Sequence, residues 1–175
     1  MKHKILYLMC GVPGSGKSHW VAERVKRMGG AHISRDAIRF AMLKPEDEYF
    51  AKEGQVFNEF IAQASLAIKN PEISHVYLDA THINEASRQK TLNALRTACG
   101  EALDNWELIV VHMDTAVSVC IERNENREGR ALVPKSVIRR MGSQLTPPDE
   151  RIYNVMTIKD GVEDGKDFPD FRFTF

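Results

Sequence analysis

The chain has 175 residues, 43% of them hydrophobic and 27% charged, which suits one domain with a sizeable core. Its 24 basic and 24 acidic residues cancel to a formal net charge of zero, so a surface coated for bulk nucleic-acid binding is excluded, although a local basic patch is not. No apolar run reaches the length of a membrane helix, the start lacks a signal-peptide design, and the three cysteines Cys10, Cys99 and Cys120 are widely spaced in apolar contexts. They read as buried free thiols, and a cytoplasmic location with no membrane association is the expectation.

Taken in order, the chain opens on an apolar run, Ile5-Leu6-Tyr7-Leu8-Met9-Cys10, expected as a buried strand. Gly11-Val12-Pro13-Gly14-Ser15-Gly16-Lys17-Ser18 follows, then a helix over 18–28 stopped by Gly29-Gly30. A short strand over 31–34 leads into Arg35-Asp36 and a helix over 37–43. A longer amphipathic helix is expected over about 48–69, with Phe50, Phe57, Phe60, Ile61, Ala64 and Ile68 on its apolar face. His75-Val76-Tyr77-Leu78 is the third strand, closing on Asp79; a helix capped near Asn84 then runs to Cys99. The fourth strand covers 106–113 and ends on Asp114, a turn residue or cap. Helices over 116–127 and 134–145 flank Gly129, and 153–158 is a fifth strand before an acidic tail. Near-continuous apolar strands alternating with helices predict an α/β fold: a mostly parallel sheet of about five strands, covered by helices on both faces in three layers. No linker divides residues 1–175, so a single domain is expected.

The pattern Gly, four residues, Gly-Lys-Ser between a strand and a helix is the phosphate-cradling loop of nucleoside triphosphate sites. Gly11, Gly14 and Gly16 let backbone N–H groups close on a phosphate, and the helix N-terminus with its Ser15–Ser18 start favours negative charge. Lys17 adds a full charge at the β/γ-phosphates, and the Ser18 hydroxyl is placed to hold Mg²⁺. Sheets of this type bind ligands beyond the carboxyl ends of their strands, which gathers Gly11–Ser18, Asp36, Asp79 and Asp114 at one edge. Asp79, ending Val-Tyr-Leu-Asp, is the candidate second Mg²⁺ ligand. Asp36 and Arg39, three apart at a helix start, can take a proton from an acceptor hydroxyl and hold an anionic group; equally, Asp36 can simply satisfy the helix dipole. Thr81, Asn84 and Arg88 are candidates for the acceptor side. Arg123, Arg127 and Arg130, with Gly129 as a joint, form a candidate lid over about 123–134 that can close on phosphates. The interleaved Glu122, Glu125 and Glu128 equally suit an ordinary solvated face. His112 is read as structural.

Together, Gly11–Ser18, Ser34-Arg35-Asp36-Ala37-Ile38-Arg39, Asp79-Ala80-Thr81-His82-Ile83-Asn84-Glu85-Ala86-Ser87-Arg88 and Arg123-Asn124-Glu125-Asn126-Arg127 running into Val133-Pro134 resemble the polynucleotide 5′-hydroxyl kinases of the P-loop kinase group. The resemblance spans roughly 4–145 and departs from the family at His82, where Asn is common. It implies a three-layer P-loop kinase fold with a helical lid. It also implies ATP and Mg²⁺, and transfer of the γ-phosphoryl group to a 5′-hydroxyl end of DNA or RNA. Asp36 would be the general base and Arg39 would grip the acceptor's adjacent phosphate. Lys17 and Arg127 would stabilise the transferring group, and Arg123 would contact the donor nucleotide. Many relatives are fused to a phosphatase or ligase; here such an activity would come from a separate partner. Two other readings remain: a P-loop kinase for a small metabolite or nucleotide sugar, of the toxin-like kind, and an ATP-binding regulatory module that transfers nothing.

Overall fold

The computed structural model describes residues 3–165. Six strands form one sheet: β1 (Ile5–Cys10), β2 (Ala31–Ser34), β3 (His75–Asp79), β4 (Glu107–Asp114), β5 (Asn154–Lys159) and β6 (Val162–Glu163). Their order across the sheet is β2-β3-β1-β4-β5-β6, with every pairing parallel except the last. Six α-helices connect them: α1 (Lys17–Met28), α2 (Arg35–Met42), α3 (Glu53–Lys69), α4 (Glu85–Cys99), α5 (Val117–Glu125) and α6 (Lys135–Gln144). No described helix is long and apolar enough to cross a membrane.

Strand side chains alternate between faces, and the core divides accordingly. Leu6, Leu8 and Cys10 of β1 join Val76, Leu78, Leu108 and Val110 on one face, under α3 and α4 residues such as Phe60, Ala64, Leu92 and Leu95. Tyr7 and Met9 point the other way with Tyr77, Ile109, Val111 and Met113, under Val21 of α1. The sheet is thus covered on both faces, which is why its central strands are apolar throughout. A third small cluster, Val12, Cys120 and Ile138, packs α5 and α6 beside the phosphate loop. All three cysteines are buried free thiols.

Among the boundaries that differ from expectation, three have a clear local reason. The sheet has six strands because Asp160-Gly161, both at positive φ (51° and 80°), makes the two-residue hairpin turn that this pair favours. The stretch expected as a tail therefore returns as β6, where Glu163 accepts hydrogen bonds from Trp20 Nε1 (3.2 Å) and Arg24 (3.0 Å) of α1; residues 166–175 of that tail lie outside the described residues. Helix α2 starts at Arg35 because the Ser34 hydroxyl caps it, accepting from the Ala37 N–H at 3.2 Å. Helix α3 starts at Glu53, not near 48. The preceding residues form turns, pinned by Lys44 N–H donating to Asp47 (2.8 Å) and by Lys52 Nζ donating to the Met42 carbonyl (2.8 Å). Phe50 therefore leaves the predicted apolar helix face and stands at the surface.

Candidate active site

A cleft of about 720 Å³ opens at the carboxyl ends of β1, β2 and β3. Its floor is the loop between β1 and α1. Gly14 sits at φ 85°, and a Cβ there would lie 2.3 Å from the Cys120 carbonyl oxygen, so only glycine lets α5 pack on the loop. Gly16, at φ 101°, directly precedes α1, and a Cβ on it would lie 3.6 Å from Arg123 Nη1. Gly11 donates its N–H to the Thr81 carbonyl (2.9 Å), and Ser15 is buried beneath the loop. Lys17 is 8% exposed, and its Nζ donates to the carbonyls of Gly11 (2.9 Å) and Val12 (2.8 Å). Burial pushes its pKa below the usual lysine range, while the charges of Asp79 and Asp36 push back the other way.

Ser18 Oγ donates to Asp79 Oδ2 at 2.7 Å, and His32 Nε2 lies 2.9 Å from the same oxygen. Burial raises the Asp79 carboxyl, but the hydrogen bonds from His32 and Ser18 and the charge of Lys17 outweigh it, leaving the pKa below the usual range. The site therefore offers a carboxylate and a hydroxyl, hard oxygen donors that fit Mg²⁺, at the edge of the phosphate loop. Among the described residues no group of three or more His, Cys, Asp or Glu could hold a metal. That donor count is normal for a Mg²⁺ that draws its remaining ligands from water and phosphates. No motif or spacing points to His32; it is brought in by the parallel register that pairs Ser34 with Asp79.

Across the cleft, α2 presents Asp36, whose side chain is 58% exposed. Arg39 beside it is 6% exposed and fully engaged: Nη1 donates to Asp36 and to the Tyr49 hydroxyl (3.1 Å), and Nη2 to Glu53 (2.8 Å). Glu53 also pairs with Arg35, and the Tyr49 hydroxyl donates to Asp36 at 3.0 Å. Burial, together with the Asp36 charge, pushes the Tyr49 phenol up to about 12. Sequence reasoning missed Arg35, Tyr49 and Glu53, because a long amphipathic pattern absorbed the last two into one helix.

The third wall comes from α5 and the stretch after it. Arg123, Arg127 and Arg130 all line the cleft. Arg127 lies beyond the end of α5 at Glu125, so it does not stack above Arg123 as one continuous helix would require. Neither Arg123 nor Arg127 has a carboxylate or hydrogen-bonding side-chain partner among the described residues; the interleaved Glu125 pairs instead with Lys135. Arg130 Nη2 donates to the Lys44 and Pro45 carbonyls across the cleft. Fully buried Asn124 holds the stretch in place, donating to the Val133 carbonyl (2.7 Å) and accepting from the Val133 N–H (3.0 Å).

Of Thr81, Asn84 and Arg88, expected on the acceptor side with Asp36 and Arg39, only Thr81 lines the cleft. Asn84 is instead the cap of α4, in a reciprocal capping box with Ser87. Arg88 is 1% exposed and is a structural clamp: Nη1 donates to the His82 and Thr146 carbonyls, both at 3.1 Å. Facing inward one turn into α4, it has no open side from which to meet a ligand. Asp114 ends β4 on the surface, and His112 is buried, with burial lowering its pKa.

His82 sits at φ 37°, a backbone region that Asn enters more readily than most residues. Its Nδ1 is 2.8 Å from the Met9 carbonyl and its Nε2 is 3.1 Å from Thr91 Oγ1. A carbonyl can only accept, so Nδ1 carries the proton and Nε2 accepts from Thr91: the neutral ring satisfies both partners. Burial lowers its pKa from 6.5 to about 4. Between those values the unfolded chain binds a proton that the folded ring refuses. Stability is therefore intact above about pH 6.5 and falls by about 3 kcal/mol as the pH drops to about 4. Urea unfolding across that range should show His82→Asn losing this component of the acid slope; identical slopes would remove the assignment.

The family model of the AAA domain (AAA_33) matches residues 6–148, and the chain belongs to that family. Fold and family place it in the class of P-loop kinase-type proteins. Among curated proteins, no sequence match is found. Solved structures with this fold include a gluconokinase from Sinorhizobium meliloti 1021, 20% identical with a TM-score of 0.55, covering 90% of this chain and 82% of that one. A chain of the Pnkp1/Rnl/Hen1 RNA repair complex is also 20% identical, with a TM-score of 0.66, covering 83% of this chain and 45% of that one. A fungal RNA kinase is 15% identical, with a TM-score of 0.62 and coverages of 91% and 76%. At such identities the likeness is one of fold.

Proposed function

We propose that the protein transfers the γ-phosphoryl group of ATP to a 5′-hydroxyl end of DNA or RNA. The observation that carries this is one cleft lined by an exposed carboxylate, Asp36, and the buried ammonium of Lys17, with the guanidinium groups of Arg123 and Arg127, unpaired among the described residues, forming the third wall. Phosphoryl transfer asks for little else: positioning, and positive charge around the transferring group. Backbone N–H groups of Gly14–Ser18 and Lys17 hold the triphosphate, Arg123 meets the donor nucleotide, and Arg127 meets the γ-phosphate. Ser18 and Asp79 would hold Mg²⁺, which would supply charge neutralisation on the triphosphate. Asp36 takes the proton of the acceptor hydroxyl as its oxygen bonds to the γ-phosphorus; the bond to the β-phosphate oxygen breaks and ADP leaves. Arg39 orients Asp36 and lies where the acceptor's next phosphate passes. The RNA kinase named above and the RNA repair complex give this acceptor class its precedent on the same fold. In that setting a separate phosphatase or ligase would supply the other steps of end repair.

One observation favours a second reading, a small neutral or sugar-like acceptor: Arg39 is already held by Asp36 and Glu53, so much of its charge is offset. The deciding experiment offers γ-labelled ATP with 5′-hydroxyl DNA, 5′-hydroxyl RNA and a panel of sugars and nucleosides. Label in the oligonucleotides is the expected result. Label only in small acceptors establishes the second reading, and label in none leaves an ATP-binding module without transfer.

A further inference from the structure

Phe50 is a large apolar side chain that the fold does not use. It is 52% exposed, belongs to none of the three buried clusters, and stands on the wall of a charged cleft. Exposing such a ring beside a functional site leaves unsatisfied apolar surface that a ligand can cover. It is also held in place. Tyr49 packs edge to face on Phe50 with centroids 4.7 Å apart, and the Tyr49 hydroxyl is fixed by Asp36 and Arg39. The Arg39 guanidinium lies 4.7 Å from the Tyr49 centroid and 5.7 Å from that of Phe50. The ring is therefore anchored, through one intervening side chain, to the carboxylate assigned as the general base.

We propose that Phe50, braced by Tyr49, is the stacking subsite for the nucleobase of the acceptor's 5′-terminal nucleotide. This rests on the polynucleotide reading above and deepens it. Every nucleobase offers a π-face, so an aromatic ring binds it without choosing among sequences. A small sugar-like acceptor offers mainly hydroxyls instead, which call for hydrogen-bonding groups more than for a phenyl ring. The placement also suits the reaction: a base is joined through its own ribose to the 5′-oxygen that must reach Asp36, and the platform lies one residue from the tyrosine that touches Asp36. Stacking supplies the affinity that an offset Arg39 charge cannot supply alone.

The test compares the wild type, Phe50→Ala and Phe50→Trp on two acceptor oligonucleotides, one ordinary and one with an abasic 5′-terminal nucleotide, in steady-state kinetics. Phe50→Ala should raise KM for the ordinary acceptor about tenfold, the usual scale for losing one stacking ring. The turnover number and the KM for ATP should stay within about twofold, since the ring touches neither the donor nor the reacting atoms. Phe50→Trp should restore KM. The abasic acceptor should be equally poor with wild type and Phe50→Ala. An equal loss on both acceptors, or no loss on the ordinary one, overturns the subsite while leaving 5′-end phosphorylation standing. A wild type that labels no oligonucleotide overturns the polynucleotide reading and the subsite with it.

Discussion

Asp36→Asn is expected to lower the rate of phosphoryl transfer by about 10²-fold or more, the scale of a lost general base, while ATP binding persists. The amide matches the carboxylate in shape, and its remaining oxygen can still accept from the Tyr49 hydroxyl and from Arg39, so the cleft wall keeps its geometry. What disappears is the ability to take a proton. Single-turnover transfer to the accepted substrate, together with the dissociation constant for a fluorescent ATP analogue, separates the two effects. Unchanged transfer would show that Asp36 is a helix-start residue whose charge serves only the dipole of α2. Because the assignment concerns proton removal rather than acceptor identity, the result holds its meaning whether the acceptor is an oligonucleotide end or a small hydroxyl compound.

Lys17→Met should cost more, about 10³-fold in turnover, in line with removing a principal positive group from a developing phosphoryl charge. The ammonium is almost completely enclosed, and its fixed partners are two carbonyls of the loop itself. A cation buried against dipoles is poorly compensated, and an arriving phosphate oxygen completes its coordination. Methionine keeps the stem volume and removes the charge. An unchanged circular-dichroism spectrum with transfer lost is the expected pattern; retained transfer would separate the loop from the chemistry. The two variants also differ in kind, since Lys17→Met should weaken triphosphate binding and Asp36→Asn should not.

The sheet was legible because its physics is local and repetitive: an all-apolar β1, the same character in β3 and β4, and a glycine pattern between β1 and α1. The grouping of Lys17, Ser18 and Asp79 in one cleft was legible for the same reason, since these residues follow strand ends. The acceptor side was less so. Phe50, Tyr49 and Glu53 fit the helical apolar spacing of the segment that follows, and only the turns pinned by Asp47 and Lys52 take the first two out of it. Arg88 illustrates the opposite failure. A charged residue near a site invites a ligand, yet this one satisfies backbone carbonyls, and no spacing rule tells the two apart. His32 reaches Asp79 through strand register alone, and β6 hinges on one Asp-Gly pair whose turn-forming character was passed over. In each case the missing information was a contact between segments distant in sequence.

The contact of Gly14 with the Cys120 carbonyl, and the double hydrogen bond of Asn124 to Val133, bear on how tightly such a protein can hold its donor. The first joins α5 to the phosphate loop, and the second fastens Val133, beyond the helix, back onto the same helix. The stretch between these two anchors, residues 125–132, carries Arg127 and Arg130. Ordering so few residues forfeits little conformational entropy. More of the attraction between guanidinium and phosphate then remains as net affinity, and less is cancelled by immobilising the chain that delivers it.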